Sequence, residues 1–349
     1  MFLSIVSTLV ASRFREVNGR RHCTVYANGH RKDDKFNPVV NDFSDNLSYW
    51  RNNSYPIAFQ NHHAGFILTG DGVHIDGYGT GGINGNGDVW YTAEAGNTQP
   101  GRPMPFVFWN VGDVTVKNFF VKQPPLWSIN IMNGTDMTFD NILCNATATK
   151  APYGTNWVQN TDGFDTMDAT NIKLTNFYYQ GGNDCIAVKP HSYNIMVQNA
   201  TCHDGNGITI GSLGQYLEDS SVENVVITDV NTIRYNEDMH NSAYIKTWVG
   251  ALVLQSSYES NYQPRGADWG SVRNILFANF HDQGADSGPA ITEGSGNNGS
   301  VSFFKVRPCY NIEFENVGLT VSVNSASTGV GKCAYSEAGG MHGIMGSGC

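Results

Sequence analysis

An all-β fold, a right-handed parallel β-helix, is what this sequence predicts, and three observations carry the expectation. A seven-residue pattern recurs seven times along the chain, its copies alternate apolar and polar residues, and helix formers are scarce among many short β-branched runs. The 39 glycines and a 12% aromatic content point the same way.

The repeat is the deciding feature. Its copies are DVTVKNF (113–119), DMTFDNI (136–142), NIKLTNF (171–177), NIMVQNA (194–200), NVVITDV (224–230), NILFANF (274–280) and NIEFENV (311–317). Each opens with Asn or Asp and carries a second one five positions on: Asn118, Asn141, Asn176, Asn199, Asp229, Asn279 and Asn316. The openers are 23, 35, 23, 30, 50 and 37 residues apart, a unit of about 23 with insertions, as in a stacked solenoid. Alternation makes each strand half-buried, and parallel stacking satisfies its backbone against the coils above and below. The recurring asparagines can bond to their copies on neighbouring coils. Leucine-rich and helical repeats are excluded, because no copy has a 3.6-residue apolar period; a β-sandwich is the competing arrangement. Asn199, if it joins such a ladder, should be buried and its sequon unglycosylated.

A chain of 349 residues can bury a large core, and residues 21–349 read as one β-helix domain. Residues 1–20 begin MFLSIVSTLVASRF, apolar but without a basic start; they read either as a weak or truncated secretion signal or as an ordinary buried strand. No other segment approaches the ~20 apolar residues of a membrane span. Six sequons (Asn46, Asn52, Asn133, Asn145, Asn199, Asn298) fit a secreted, extracellular glycoprotein. A net charge of −10 and a pI near 5.4 argue against nucleic acid or an anionic membrane as partner, and a monomer is expected. A polyanionic substrate would need locally placed cations.

Seven cysteines show no C-x-x-C pair and no zinc spacing with histidine, so no metal is expected. Cys185 and Cys202, 17 residues apart, suit a bridge worth ~3 kcal/mol. Cys333 and Cys349 could pin the tail, and Cys144 reads as a free buried thiol.

Candidate chemistry gathers in NTDGFD (160–165) and GGNDCIAVKP (181–190). Asp162, Asp184 and Asn206 are separated by 22 and 22 residues, one coil each, so they should lie on successive rungs ~4.8 Å apart. Carboxylates on adjacent rungs repel, which should raise one pKa and give an acid and a base in one site. The glycines at 181, 182, 205 and 207 should leave room for a ligand against the backbone, as in a glycosidase cleft. Either aspartate alone could simply cap a turn; their register, with Lys189 and Lys246 nearby, favours a site. Lys189 is either a carboxylate clamp or a solvated side chain. Trp127, Trp157, Tyr178, Tyr179, Tyr216, Trp248 and Trp269 could stack on sugar rings, with core or loop packing as the alternative. Arg102 and Arg265, in apparent insertion loops, could line a cleft end.

Four short motifs occur in order: Asn160-Thr161-Asp162, Gly182-Asn183-Asp184, Gly205-Asn206-Gly207 and Tyr244-Ile245-Lys246. With them the sequence resembles glycoside hydrolase family 28, the polygalacturonases and rhamnogalacturonan hydrolases, from about residue 60 to 317 and most densely over 156–250. The family pattern is N-T-D, G-D-D, G-H-G and R-I-K. The resemblance implies a pectic polysaccharide or oligosaccharide substrate, hydrolysis of its α-glycosidic bonds with inversion, and no metal or organic cofactor. It implies that Asp162 and Asp184 activate water, that position 183 protonates the leaving oxygen, and that Asn160, Lys189, Asn206, Tyr244 and Lys246 bind substrate. Inversion sits against the rule linking carboxyl groups ~5–5.5 Å apart to retention.

This chain departs from the pattern at three places. Asn183 stands at the general-acid position, and an amide cannot supply that proton, a contribution of ~10²–10⁴-fold. Either Asp184 or Asp162 has taken over protonation, or the chain is a weakly active or inactive carbohydrate-binding paralogue, or the substitution is engineered. Asn206 replaces the histidine. Tyr244 replaces an arginine that grips a galacturonate carboxylate in polygalacturonases; a phenol suits a carboxylate less than a guanidinium fork does, which points to a less acidic leaving-side sugar such as rhamnose. GITIGSLGQYLEDSS and AYIKTWVG resemble the exo-acting rhamnogalacturonan-type branch, implying attack on terminal α-galacturonosyl or α-rhamnosyl linkages. The chain is short, relative to the family, between ANGHRKDD and DNLSYW and near GSVSFFKVRPCYN. A pectate lyase would share the fold but needs calcium, for which Asp162, Asp165, Asp168 and Asp184 are the acidic residues on offer.

Overall fold

The computed structural model describes residues 13–17, 20–24, 47–97, 101–215, 221–234, 241–247, 271–286, 288–293, 310–320, 331–332, 341–342 and 346–347. Residues 1–12 of the N-terminal segment, most of the two segments expected to be short, and Tyr216, Trp248, Arg265, Trp269, Cys333 and Cys349 lie outside them. Near the start, β1 (Arg13–Val17) and β2 (Arg20–Thr24) form an antiparallel pair. Strands β3 (Tyr55–Ile57) and β4 (His62–Ala64) form another, and β4 also pairs in parallel with β7 (Pro103–Met104). Between them lie β5 (Ile67–Asp76) and β6 (Gly82–Asn84).

The body is a parallel sheet of 14 strands wound as a right-handed β-helix. Its spine is β5, β8 (Phe106–Lys122), β9 (Ile129–Asn145), β10 (Phe164–Gln180), β12 (Ser192–His203), β14 (Val222–Ile233), β16 (Val272–Gln283) and β18 (Tyr310–Thr320). A second, shorter stack leaves β10 through β11 (Ile186–Val188), β13 (Ile208–Leu213), β15 (Ala243–Thr247) and β17 (Ala290–Glu293).

The sequence repeat falls in the spine in register. Val114, Met137, Ile172, Ile195, Val225, Ile275 and Ile312 stack directly, so the seven openers before them do too. Every opener, from Asp113 at φ 50° to Asn171 at 60°, and every residue of the second series, from Asn316 at 51° to Asp229 at 60°, is left-handed. That explains the spelling. Each copy of the repeat turns at two points that demand positive φ, which Asn and Asp tolerate better than other side-chain-bearing residues. Their amides then tie the coils together: Asn194 donates to Asn171 (3.0 Å), Asn224 to Asn194 (3.1 Å) and Asn311 to Asn274 (3.0 Å).

Two expectations about the repeat need correction. Asn199 does join the ladder, donating to Asn176 at 2.7 Å, but it is exposed, because the bends run along the outside of the coil. An eighth copy also exists. In β5 the opener's place opposite Asp113 is taken by Gly72, with φ +69°, which no Asn/Asp pattern can find.

Inward residues fill the coil. Ile195, Val197, Ala200 and Cys202 of β12 are buried while Met196, Gln198 and Asn199 are exposed. Phe106, Phe108, Phe139, Phe164 and Phe177 form a continuous column along the axis, with ring centroids 4.4–6.2 Å apart. Each such side chain contributes about 1.5–3 kcal/mol by burial. Cys185 and Cys202 are bridged, and Cys144 is buried and free.

Candidate active site

The site lies where β10 gives way to the second stack. Phe164, Ile186, Ile208 and Ala243 pair in line and face the core. The next position in each strand, Asp165, Ala187, Thr209 and Tyr244, therefore faces the other way, and so do Lys189 and Lys246 two residues further on. Just before these strands, the turns bring in Asp162, Asn183, Asp184 and Asn206. Gly163 N–H donates to Asp184 O at 2.9 Å and Cys185 N–H to Gly207 O at 2.8 Å, so the rungs align as the 22-residue spacing predicts.

The side chains follow a different order from the backbone. Asp162 faces Asn183, not Asp184: Asn183 Nδ2 donates to Asp162 Oδ1 at 2.5 Å, and Asn206 Nδ2 donates to Asn183 Oδ1 at 2.9 Å. Asp184 turns toward the second stack, taking the Tyr244 hydroxyl on Oδ1 at 2.8 Å and Lys246 Nζ on Oδ2 at 2.7 Å. Adjacent residues on one turn point to opposite sides, which is why a rung count alone pairs the wrong side chains.

Both aspartates are fully buried, and their surroundings push them apart. Burial raises the Asp162 carboxyl to about 6, opposed by Lys189 and assisted by the charge of Asp184. Burial acts on Asp184 too, but Lys246, Lys189 and the bond from Tyr244 together hold it below the ordinary carboxylate value. Burial, with the charge of Asp184, pushes the Tyr244 phenol well up, so it stays a donor. The two carboxyls are thus shifted in opposite directions, with burial rather than mutual repulsion the larger cause of the rise at Asp162.

Lys189 is neither solvated nor open to a ligand. It is buried, with Nζ 3.6 Å from Asp162 Oδ2, 3.7 Å from Asp165 Oδ1 and 4.0 Å from the centroid of the Trp127 ring. Tyr244 and Lys246 are likewise engaged by Asp184 rather than turned outward. The glycines leave no room for a ligand: a Cβ at Gly182 would meet Asn156 and Val158, one at Gly205 the backbone of Asn183, and one at Gly207 that of Ser242. They let coils approach each other. Asn160 sits at φ 56° with Oδ1 3.5 Å from Arg102 Nη2. Arg102 itself is buried against Glu94 and the Gln159 carbonyl, not at a cleft end.

Three residues outside the substrate-binding and catalytic expectations also adjoin the site, and of them only His62 went unnamed in the sequence. Asp165 is buried with neither carboxylate oxygen hydrogen-bonded, and burial raises its pKa well above normal. Trp127 caps Lys189. His62, edge-on to Trp127 with centroids 4.5 Å apart, is lowered to about 3 by burial and by Lys189 and Arg102, and so stays neutral. Asp165 was legible as the last letter of NTDGFD; His62 and Trp127 carry no spacing signal. Asp168, by contrast, lies at the surface with His191 Nδ1 at 2.7 Å. Among the described residues no group of three or more His, Cys, Asp or Glu is placed to hold a metal ion.

Residues 58–260 match the family described as Glycosyl hydrolases family 28. A relative from Aspergillus niger, "Putative galacturan 1,4-alpha-galacturonidase C", is 64% identical over 334 residues, 87% of this chain and 79% of its own. The chain belongs to glycosyl hydrolase family 28. It is therefore a glycosyl hydrolase by descent, which favours an enzyme over a binding-only protein. A protein of the same name from Neosartorya fischeri is 54% identical, covering 93% of this chain and 92% of its own. That alignment spans 399 positions against 349 residues here, so the relative has positions this family member lacks, in keeping with its short segments. The solved endo-xylogalacturonan hydrolase from Aspergillus tubingensis has the same fold, with a TM-score of 0.60 at 20% identity, over 82% of this chain and 81% of that one.

Proposed function

We propose that this chain is an exo-acting pectin hydrolase that releases terminal galacturonate, with inversion and without a cofactor, acting outside the cell as a monomer. The observation that supports this best is the opposed pair: Asp162 raised to about 6 and Asp184 held ionised, both buried in one site. Asp184, kept as a carboxylate by Lys246 and Tyr244, is the base that takes a proton from the attacking water. Asp162, protonated at mildly acidic pH, is the proton donor available to the leaving oxygen. Asn183 orients Asp162 through its amide but cannot donate a proton. The names of the two most similar relatives cited above, both galacturonidases, favour galacturonate over rhamnose as the released sugar. With Lys246 engaged by Asp184 and a phenol at 244, the leaving side is not built around a strong carboxylate clamp, so a rhamnose there is accepted as well.

Product analysis tests this. Oligogalacturonates and rhamnogalacturonan oligomers, incubated with the protein, should both yield free galacturonate as the first product, with the β-anomer appearing first by NMR. Internal fragments as first products, or an unsaturated ultraviolet-absorbing product, would sink the proposal.

A further inference from the structure

We propose that Asn183 is a self-modification site, its side-chain amide being hydrolysed inside the folded protein to a carboxylate with release of ammonia. Three groups surround that amide as they would surround a substrate. Its nitrogen, the leaving group, lies 2.5 Å from Asp162 Oδ1. Its oxygen accepts the Asn206 amide at 2.9 Å, a donor aimed where negative charge develops when the carbonyl is attacked. The residue is only half-buried, so the proposal takes the attacking water from solvent.

The step balances without any other reactant. A water oxygen bonds to Cγ, and the resulting oxyanion is held by Asn206. Asp162 gives its proton to the departing nitrogen and recovers one from the attacking water. The C–N bond breaks, ammonia leaves as ammonium, and a carboxylate remains. Asp162 suits this task because its carboxyl titrates near 6 and so carries a proton in mild acid.

The alternative route, attack by the following backbone nitrogen to give a cyclic imide, is disfavoured here. The Asn183 backbone is held on both sides, its N–H donating to the Tyr179 hydroxyl at 3.1 Å and its carbonyl accepting that hydroxyl at 3.1 Å and the Asn206 N–H at 2.9 Å. The next residue is Asp184 rather than glycine. Direct hydrolysis yields aspartate alone, whereas the imide route also yields isoaspartate. Asn84 and Asn86, each followed by glycine, are internal controls for that other route. The consequence for catalysis, a carboxylic acid at the vacant general-acid position, rests on the function proposed above; the hydrolysis of the amide does not.

The test is peptide mass spectrometry of the full-length protein, freshly prepared and after incubation at about pH 5, below the titration of Asp162. Residue 183 should gain the mass of an amide-to-acid exchange, with no isoaspartate. The rate should fall as pH is raised through about 6, and should drop at least about tenfold in Asn206→Ala and Asp162→Asn while Asn84 and Asn86 are unaffected. The pH series needs no variant, so a misfolded variant leaves the test intact. Residue 183 staying an amide throughout, or appearing with isoaspartate at a rate indifferent to pH, overturns the proposal. Conversion without pectin hydrolysis leaves it standing and defeats the proposed function instead.

Discussion

The Asn183 amide nitrogen lies 2.5 Å from a carboxylate oxygen of Asp162, one coil away, and its own oxygen takes the Asn206 amide from the next. Two amides thus extend a carboxylate into a three-coil column. A carboxyl group at 183 would occupy the same column with a shared proton in place of the amide hydrogen, since two carboxylates at that distance cannot both ionise. With Asp162 as the only proton donor in the encoded protein, the Asn183→Asp variant places a second acid beside it and is expected to release galacturonate faster, by at most the ~10²–10⁴-fold of a full general-acid contribution. Initial rates on oligogalacturonate check this, each sample first typed at residue 183 by mass spectrometry. A typed variant no faster than typed amide protein would mean that position 183 is not where the leaving group is protonated.

Stability should carry the mark of Asp162. Its folded-state pKa of about 6 exceeds the ordinary 3.8, so between those values the folded chain binds the extra proton. That contribution is fully present below 3.8 and is lost as pH rises through about 6, giving a stability that falls across the window. Asp165, raised by burial, adds a loss of the same sign as pH rises, while Asp184, lowered, acts in the opposite sense and weakens the fold only as pH drops below the ordinary carboxylate range. Denaturant midpoints measured from about pH 3 to 7, a range that brackets both pKa values, should decline less steeply in Asp162→Asn than in the encoded protein. Parallel curves would show that Asp162 is not raised.

How far the sequence reaches is clear from particular residues. The coil is legible because every copy of the repeat has Asn or Asp at its two positive-φ bends, so the backbone writes its period into the sequence; where Gly72 meets the same demand the signal disappears. Coil-to-coil register follows from spacing alone and places Asp162, Asp184 and Asn206 on one stack. Side-chain direction does not. Asn183 and Asp184 are neighbours, and spacing cannot say which of them turns toward Asp162. His62 and Trp127 reach Lys189 from outside the repeat, through packing that no period encodes. The segments 248–270 and 294–309 lie outside the described residues, and Trp248, Arg265 and Trp269 with them.

Lys246 supplies the charge that keeps Asp184 ionised. In Lys246→Met the carboxylate stays buried with only Tyr244 donating to it directly, and leaving a buried partner uncompensated costs about 3–5 kcal/mol. The loss should be largest at neutral pH and shrink in acid as Asp184 takes up a proton, with the activity optimum moving to higher pH because Asp184, without Lys246, ionises only at higher pH. Chemical denaturation at two pH values, with a pH–rate profile, checks both. A variant equally destabilised at both pH values would assign Lys246 a packing role instead.

The bridge between Cys185 and Cys202 closes a 17-residue separation that runs from the site turn through β12. In the chain-entropy model a loop of this size is worth ~3 kcal/mol. Cys202→Ala, compared with the encoded chain by denaturant titration, should lose that much and should also lower activity, because Cys185 adjoins Asp184. Unchanged activity with lowered stability would show the turn to be held by the rungs on either side.

The ladder offers the sharpest separation of two physical terms. Asn194, at φ 58°, donates to Asn171 at 3.0 Å and accepts from Asn224 at 3.1 Å. Asn194→Gly removes both bonds but keeps the bend free of strain, at a cost of about 0.5–1.5 kcal/mol per hydrogen bond. Asn194→Ala removes the same bonds and also forces a Cβ into the left-handed region, adding about 1–2 kcal/mol. Alanine should therefore be the more damaging substitution in denaturant titrations, although it is ordinarily the better-tolerated one. If glycine proves as harmful as alanine, the asparagines are kept for their hydrogen bonds and not for the backbone conformation they permit.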